Sequence, residues 1–169
     1  INHGILINCQ FTGVVTGDSE VGGIVGRNES EGTIDHSTAR AIVTGKSSTG
    51  GIAGYNLGAI TGCTNVGSIN TEYQEASLDT DGFTAKMVDQ INNKMAAADD
   101  DATNSVTNVA TDTGGIAGRS SGMILTSVNT GTIGYEHVGY NVGGIVGRTD
   151  GLVSGCVNQG HVLGRKDVG

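Results

Sequence analysis

The chain has 169 residues, of which 30 are glycine and none is proline or tryptophan, and its formal net charge is −8. This composition excludes a collagen-like chain, which needs proline and a glycine at every third position. No apolar run approaches the roughly 18 residues of a transmembrane helix. The negative charge also argues against nucleic acid as a partner, because phosphate binding needs a basic surface.

The two ends of the chain resemble cut positions within a longer protein. The chain begins with INHGILINC, which lacks both an initiator methionine and the apolar core of a signal peptide. It ends with GRKDVG, which resembles the start of another repeat unit. We therefore expect a fragment of a longer protein, with any targeting signal or anchor outside it.

One pentapeptide occurs four times along the chain. The copies are GGIVG at 22–26, GGIAG at 50–54 and 114–118, and GGIVG at 143–147. They begin 28, 64 and 29 residues apart, so the middle offset is one repeat plus an insertion. After each copy the pattern continues with G-x-I-x-x-C/S and x-N-x-G-x-V/I. Recurrence over so many positions predicts a repeat protein with a period near 28 residues.

Each unit contains three short β-branched segments separated by Gly, Asn, Ser or Asp. Such segments favour strands, and the separating residues favour turns. We therefore predict an all-β fold: a right-handed parallel β-helix, or β-solenoid, with three short strands in each coil of about 28 residues. A propeller blade needs roughly 40–50 residues, and the signature of a leucine-rich repeat is missing.

In a solenoid, equivalent residues of successive coils stack about 4.8 Å apart and form columns. The repeat predicts three inward aliphatic columns. They are Ile24, Ile52, Ile116 and Ile145; Leu6, Ile34, Ile60, Ile124 and Val153; and Val15, Val43, Ile69, Ile133 and Val162. Because each glycine costs roughly 0.5–1 kcal/mol in regular structure, we expect the glycine corners to be left-handed or tightly packed.

The cysteines share one position of the repeat. Cys9, Cys63 and Cys156 fall in one column, and Ser37 and Ser127 fill it in the other coils. A metal site or a nucleophilic thiol is one interpretation. Packing of small inward side chains is favoured, because serine replaces cysteine and no Cys-x-x-Cys spacing exists.

An insertion at about 71–112 interrupts the single predicted domain, which covers 1–169 in about five coils. Its apolar residues recur at every fourth position, which predicts an amphipathic helix over about 82–98. They are Phe83, Met87, Ile91 and Met95. The helix is expected either to brace the side of the solenoid or to bind a partner or a second copy. Carboxylates at 79–81 and 99–101 resemble part of a calcium loop but lack its bidentate glutamate.

Two common catalytic patterns are missing from the sequence. It contains no His-Glu-x-x-His and no phosphate-binding loop, and the Gly-x-Ser-x-Gly spacing occurs once, as GRSSG at 118–122, inside a repeat unit. The nearest carboxylates are Glu29, Glu31, Asp35 and Asp150, which we interpret as solvated surface residues. We therefore predict a protein that is not an enzyme and has no cofactor and no metal.

A further column contains long polar side chains. Arg27, Arg119 and Arg148 share it, with Tyr55 in the remaining coil. Stacked arginine and tyrosine could bind an acidic or sugar ligand. The alternative is that these side chains only cover a corner of the coil.

The pattern GGI[VA]G–x–GxIxxC–xNxG–xV resembles the GLUG-type repeats of large bacterial surface proteins. It is also similar to glycine-rich repeats in secreted proteins of anaerobic Gram-positive bacteria, including stretches that flank IgA-cleaving metallopeptidases. The resemblance covers about 1–70 and 113–169, and HVGYNVGGIVGR at 137–148 and GRKDVG at 164–169 carry it most clearly. It implies an extracellular or cell-surface stalk or adhesive region, and it supplies no catalytic motif.

The sequence thus predicts a rigid spacer or binding surface in a bacterial surface or secreted protein. A host protein or a glycan is a possible partner, and self-association could use the solenoid ends or the inserted helix. No nucleic acid partner and no membrane insertion are expected. Two alternatives remain: a carbohydrate-binding or polysaccharide-cleaving β-helix, and an assembly module acting through the inserted amphipathic helix.

Overall fold

The computed structural model describes residues 1–72 and 110–169. Within these residues the regular structure consists of twenty short β-strands, without a helix. The strands are β1 (Ile5–Ile7), β2 (Gln10–Thr16), β3 (Ser19–Gly22), β4 (Val25–Asn28), β5 (Thr33–Asp35), β6 (Thr38–Thr44), β7 (Ser47–Gly50), β8 (Ala53–Asn56), β9 (Ala59–Thr61), β10 (Thr64–Asn65), β11 (Ser68–Ile69), β12 (Thr111–Gly114), β13 (Ala117–Ser120), β14 (Met123–Leu125), β15 (Val128–Asn129), β16 (Tyr140–Gly143), β17 (Val146–Thr149), β18 (Leu152–Ser154), β19 (Val157–Asn158) and β20 (Lys166–Val168).

The strands pair in parallel and form four sheets. Sheet 1 has the order β1-β5-β9-β14-β18, and sheet 2 joins β2 to β6, then β10 and β11, then β15 and β19. Sheet 3 has the order β3-β7-β12-β16-β20, and sheet 4 the order β4-β8-β13-β17. The chain visits the four sheets in turn and then returns to the first. This path is a parallel β-solenoid of about five turns, which confirms the predicted all-β parallel solenoid and its number of coils.

Each complete coil passes through four sheets, so the predicted three strands per coil was wrong. The strand that was missed precedes the pentapeptide and belongs to sheet 3. Its inward column mixes aliphatic and polar side chains, in the order Val21, Thr49, Thr113 and Val142. Because two coils place threonine inside, this strand lacks the aliphatic pattern that marks the other inward columns.

The three predicted aliphatic columns are present. The register pairs Leu6 with Ile34 and continues to Val153 in sheet 1, and it pairs Val15 with Val43 and continues to Val162 in sheet 2. In the pentapeptide column the N–H of Ile24 donates to the carbonyl of Ile52 over 3.0 Å, and the same bond repeats in the next coils. The isoleucines of the middle coils are completely buried, and each is worth roughly 1.5–3 kcal/mol.

Two ladders of side-chain amides run beside the aliphatic columns. In sheet 4, Asn2 donates to Asn28 and Asn28 to Asn56, each over 2.8 Å from Nδ2 to Oδ1. In sheet 2, Asn65 donates to Asn129 in the same way, and Asn129 donates to its counterpart in the next coil. The second amide hydrogen meets a carbonyl of the following turn, such as that of Gly67. Buried amides are therefore satisfied along the stack.

The expected left-handed turns and the expected tight packing occur at different corners. The left-handed turn follows each sheet 1 strand, at Asn8, His36, Gly62, Thr126 and Gly155, and only two of these five residues are glycine. The paired glycines of the pentapeptide are tightly packed instead. A Cβ on Gly115 would lie 2.2 Å from the carbonyl oxygen of Gly144, so no larger residue fits there.

The mixed column of sheet 3 generates a stability prediction. The hydroxyl of Thr49 is buried and has no hydrogen-bond partner among the described residues, whereas Thr113 Oγ1 accepts a 2.9 Å hydrogen bond from Asn70 Nδ2. An unpaired buried hydroxyl is unfavourable, while removing an acceptor leaves its donor unpaired. Thr49→Val should therefore raise the free energy of unfolding by about 1 kcal/mol, and Thr113→Val should lower it by about 1 kcal/mol.

Urea unfolding of the two variants and the parent chain measures both shifts. Valine already occupies this column at Val21 and Val142, so the shape of the replacement suits the site. Shifts of the same sign in the two variants would contradict the assignment of the two hydroxyls.

Candidate functional site

The predicted arginine–tyrosine column lies on sheet 4. Parallel pairing aligns Arg27 of β4 with Tyr55 of β8, Tyr55 with Arg119 of β13, and Arg119 with Arg148 of β17. The buried residues that follow them on these strands, such as Asn28 and Ser120, hold the strand ends in the stack. The four side chains therefore occupy one column by virtue of the backbone register. Binding of a ligand by this column stays a prediction.

Tyr55 lies between two guanidinium groups. The Cζ atom of Arg27 is 5.1 Å from the centre of the tyrosine ring, and that of Arg119 is 5.3 Å from it. The tyrosine hydroxyl lies 3.1 Å from the hydroxyl of Ser121. Cation–π contacts of this kind contribute about 0.5–1 kcal/mol at exposed sites. They order the ring and the two arginines together.

Arg27 is neutralised by two carboxylates. Its Nη1 donates to Glu20 over 2.9 Å and its Nε donates to Glu29 over 2.8 Å. These hydrogen bonds, that with Glu20 first, raise the pKa of Arg27 above its usual value. The group stays charged at any physiological pH, so the bonds position Arg27 rather than change its charge.

The other end of the column is electrostatically different. The structure records no ion pair that joins Arg119 or Arg148 to a carboxylate of the described residues. Asp150 is close enough for its pKa to lie below the usual value, mainly because the Ser121 hydroxyl donates to its carboxylate, with smaller contributions from the two arginines. Asp150 is therefore ionised at neutral pH.

The cysteine and serine side chains form a ladder of their own. The N–H of Cys9 donates to Ser37 Oγ over 3.1 Å, that of Ser37 to Cys63 Sγ over 3.4 Å, and that of Cys63 to Ser127 Oγ over 3.2 Å. All three cysteines, Cys156 included, are free thiols. The small side chains thus accept hydrogen bonds from the preceding coil, which agrees with the packing interpretation.

Burial raises the pKa of the Cys63 thiol to about 11. At pH 8 its thiolate fraction is therefore about a thousandth, and the thiolate is the nucleophile. Cys63 is a poor candidate for covalent chemistry, whereas Cys9 and Cys156 are half-buried.

Alkylation tests this difference. Iodoacetamide at pH 8 should modify Cys9 and Cys156 in the folded protein and leave Cys63 unmodified, as measured by peptide mass spectrometry. In urea all three cysteines should react. Cys63→Ser should fold normally as the control, because serine fills this position at Ser37 and Ser127. Modification of folded Cys63 as fast as of the other two would contradict the assignment.

The four candidate acids do not converge. Glu29 pairs with Arg27, whereas Asp150 lies in the turn after β17. Glu31 lies 3.9 Å from the His3 ring and Asp35 lies 2.9 Å from that of His36. Across 1–72 and 110–169, the structure shows no group of three or more His, Cys, Asp or Glu that could hold a metal ion.

The predictions for the insertion concern residues outside the described part of the chain. They are the helix over 82–98, its apolar residues Phe83, Met87, Ile91 and Met95, and the carboxylates at 79–81 and 99–101. They stay predictions. No helix among the described residues is long and apolar enough to cross a membrane.

Sequence reasoning missed the partners of the arginine column and the amide ladders. Glu20 lies on the strand of sheet 3 that was not predicted, so its pairing with Arg27 had no visible signal. The amide ladder of sheet 2 did have a signal in the sequence, because an asparagine recurs in the N-x-G part of the repeat, at Asn65, Asn129 and Asn158. It was interpreted as a turn residue and not as a buried amide.

Comparison with known families identifies the repeat. Residues 17–44 match the family model of the GLUG motif. The chain therefore contains a GLUG-type repeat region, as its sequence pattern predicted. The matched segment runs from the corner before β3 to the end of β6, so one motif corresponds to one coil of the solenoid. No curated protein and no solved structure matches the chain.

Proposed function

We propose that this chain is a rigid, non-catalytic spacer that also presents a binding surface, within a bacterial cell-surface or secreted protein. The observation that carries the proposal is the continuous register. In all four sheets each coil hydrogen-bonds to the next with equivalent residues opposite each other. A stack of this kind sets the position of every coil relative to its neighbours.

The number of repeated coils sets the length of the stack. Each coil contacts its neighbours, so stability accumulates with every added unit. Each unit also extends the stack by one strand separation, about 4.8 Å. Insertion or loss of a unit would change the length without disturbing the remaining coils. We expect the coil to be right-handed, as parallel crossovers generally are.

The outward positions support a binding role. Inward columns repeat side chains of similar shape, but the outward column of sheet 1 changes from Ile5 and Thr33 to Ala59, Met123 and Leu152. Packing of the core does not restrict these side chains, so each coil can present different chemistry to a host protein or a glycan. An extracellular or cell-surface location agrees with the resemblance to GLUG-type surface proteins.

A distance measurement tests the spacer. Gln10, Thr38, Thr64, Val128 and Val157 lie in one column, one per coil. Spin labels on Gln10→Cys and Val157→Cys, in a chain whose native cysteines are serine, should be about 19 Å apart at the backbone, four strand separations. The dipolar spectrum should show one narrow distance distribution.

A lengthened chain is the matched control. Because Tyr140 is the counterpart of Thr111, a second copy of residues 111–139 placed after residue 139 should add one coil. The distance should then rise by about 4.8 Å. A broad distribution, or an unchanged distance in the lengthened chain, would contradict a rigid spacer.

The proposed location has its own test. Antibodies against the chain should label intact cells that encode it, or should detect it in the medium. Detection that requires lysis of the cells would contradict a surface or secreted location while leaving the spacer result unaffected.

A further inference from the structure

The arginines of this acidic chain are concentrated on one face. The chain has a net charge of −8, yet three of its five arginines, Arg27, Arg119 and Arg148, lie in the column on sheet 4. Arg119 and Arg148 are directly paired on neighbouring strands. Like charges in this position repel each other. An anion placed across both would relieve that repulsion.

The arginines at the two ends of the column differ in whether a carboxylate neutralises them. Arg27 is held by the carboxylates of Glu20 and Glu29 at 2.9 and 2.8 Å. No carboxylate of the described residues lies within ion-pair distance of Arg119 or Arg148. The open charge therefore lies at Arg119 and Arg148, in the last two coils, and not along the whole column.

The contacts of Tyr55 favour a charged ligand over a neutral one. Both faces of its ring are covered by guanidinium groups, at 5.1 and 5.3 Å, and its hydroxyl is engaged by Ser121. The ring offers no free face on which a neutral sugar could stack. Its contact with Arg119 instead orders that side chain in advance, which lowers the entropic cost of binding. Recognition at this end therefore depends on charge.

We propose that Arg119 and Arg148 bind carboxylates of a linear acidic polysaccharide. A guanidinium group binds a carboxylate through two parallel hydrogen bonds, and the two arginines lie on strands about 4.8 Å apart. A chain of 1,4-linked uronic acids carries one carboxylate on every sugar, so one chain can meet both guanidinium groups. An extended acidic peptide presents same-side groups at every second residue, at roughly 6.6–6.8 Å, and is the competing ligand in the test. The site rests on the binding-surface part of the proposed function, for which it names the ligand, and it does not depend on the spacer part.

Asp150 opposes the ligand at the edge of the site. Its backbone N–H donates to the carbonyl of Ser120 over 3.1 Å, which places Asp150 in the turn beside the column. Ser121 and, to a smaller extent, the two arginines lower the pKa of its carboxyl. A negative charge here repels an incoming carboxylate. Neutralising it should therefore strengthen binding, which a purely structural role of the arginines would not produce.

Binding of polygalacturonate at low salt tests the site, measured by calorimetry and by retardation in affinity gels. Arg119→Gln/Arg148→Gln should weaken binding by roughly tenfold or more, since each charged hydrogen bond contributes about 1.5–3 kcal/mol. The matched control, Arg40→Gln/Arg165→Gln, removes the same charge elsewhere and should bind like the parent chain. Asp150→Asn should bind more tightly, and added salt should weaken every complex.

Several outcomes would overturn the proposal. They are no binding by the parent chain, equal loss in the control pair, and equal binding of methyl-esterified polygalacturonate, which carries no charge. Binding of poly-glutamate as tight as that of the polysaccharide would assign the site to acidic peptides instead. Unfolding curves of each variant separate lost binding from lost folding, and Arg148→Gln alone provides a milder variant because Arg148 is exposed.

Discussion

The structure depends on one constraint, the hydrogen bonding of each coil to the next at a single strand separation. Parallel pairing in all four sheets places every residue above its counterpart. A side chain inside one coil therefore lies a few ångströms from the equivalent side chain of the next coil and must pack or pair with it. Isoleucine packs against the next isoleucine. Asparagine does so by donating to the next asparagine, as Asn65 does to Asn129. Both solutions satisfy the interior without a large hydrophobic core.

The paired glycines follow from the same constraint. A Cβ on Gly115 would lie 2.2 Å from the backbone of Gly144 and 2.5 Å from the side-chain amide of Asn129. Gly51 stands in the same relation to the amide of Asn65, at 2.4 Å. The second glycine of the pentapeptide thus provides the space that both the next coil and the amide ladder occupy. Glycine and asparagine recur together in the repeat because each requires the other.

The sequence predicted the aliphatic columns and the architecture because period and residue type coincide there. It failed where a column changes chemistry. The buried column of the fourth strand contains Thr49 and Thr113 as well as Val21 and Val142. This strand therefore had no recurring aliphatic pattern in the sequence. Left-handed residues such as Glu20 also interrupt the alternation of that strand. The arginine column followed from spacing alone, but its partner Glu20 became visible only once the fourth strand was placed beside it.

The solenoid separates stability from recognition. Inward side chains must match in shape from coil to coil, as valine matches threonine, because each packs against its counterpart. Outward columns share the same backbone positions without that requirement, so their chemistry can change from one coil to the next. The column on sheet 4 shows this: Arg27 is neutralised, Tyr55 is covered, and Arg119 and Arg148 remain open to an anion. Repeats of identical architecture can therefore carry different binding properties, and a function in this class of chain has to be sought in the differences between coils.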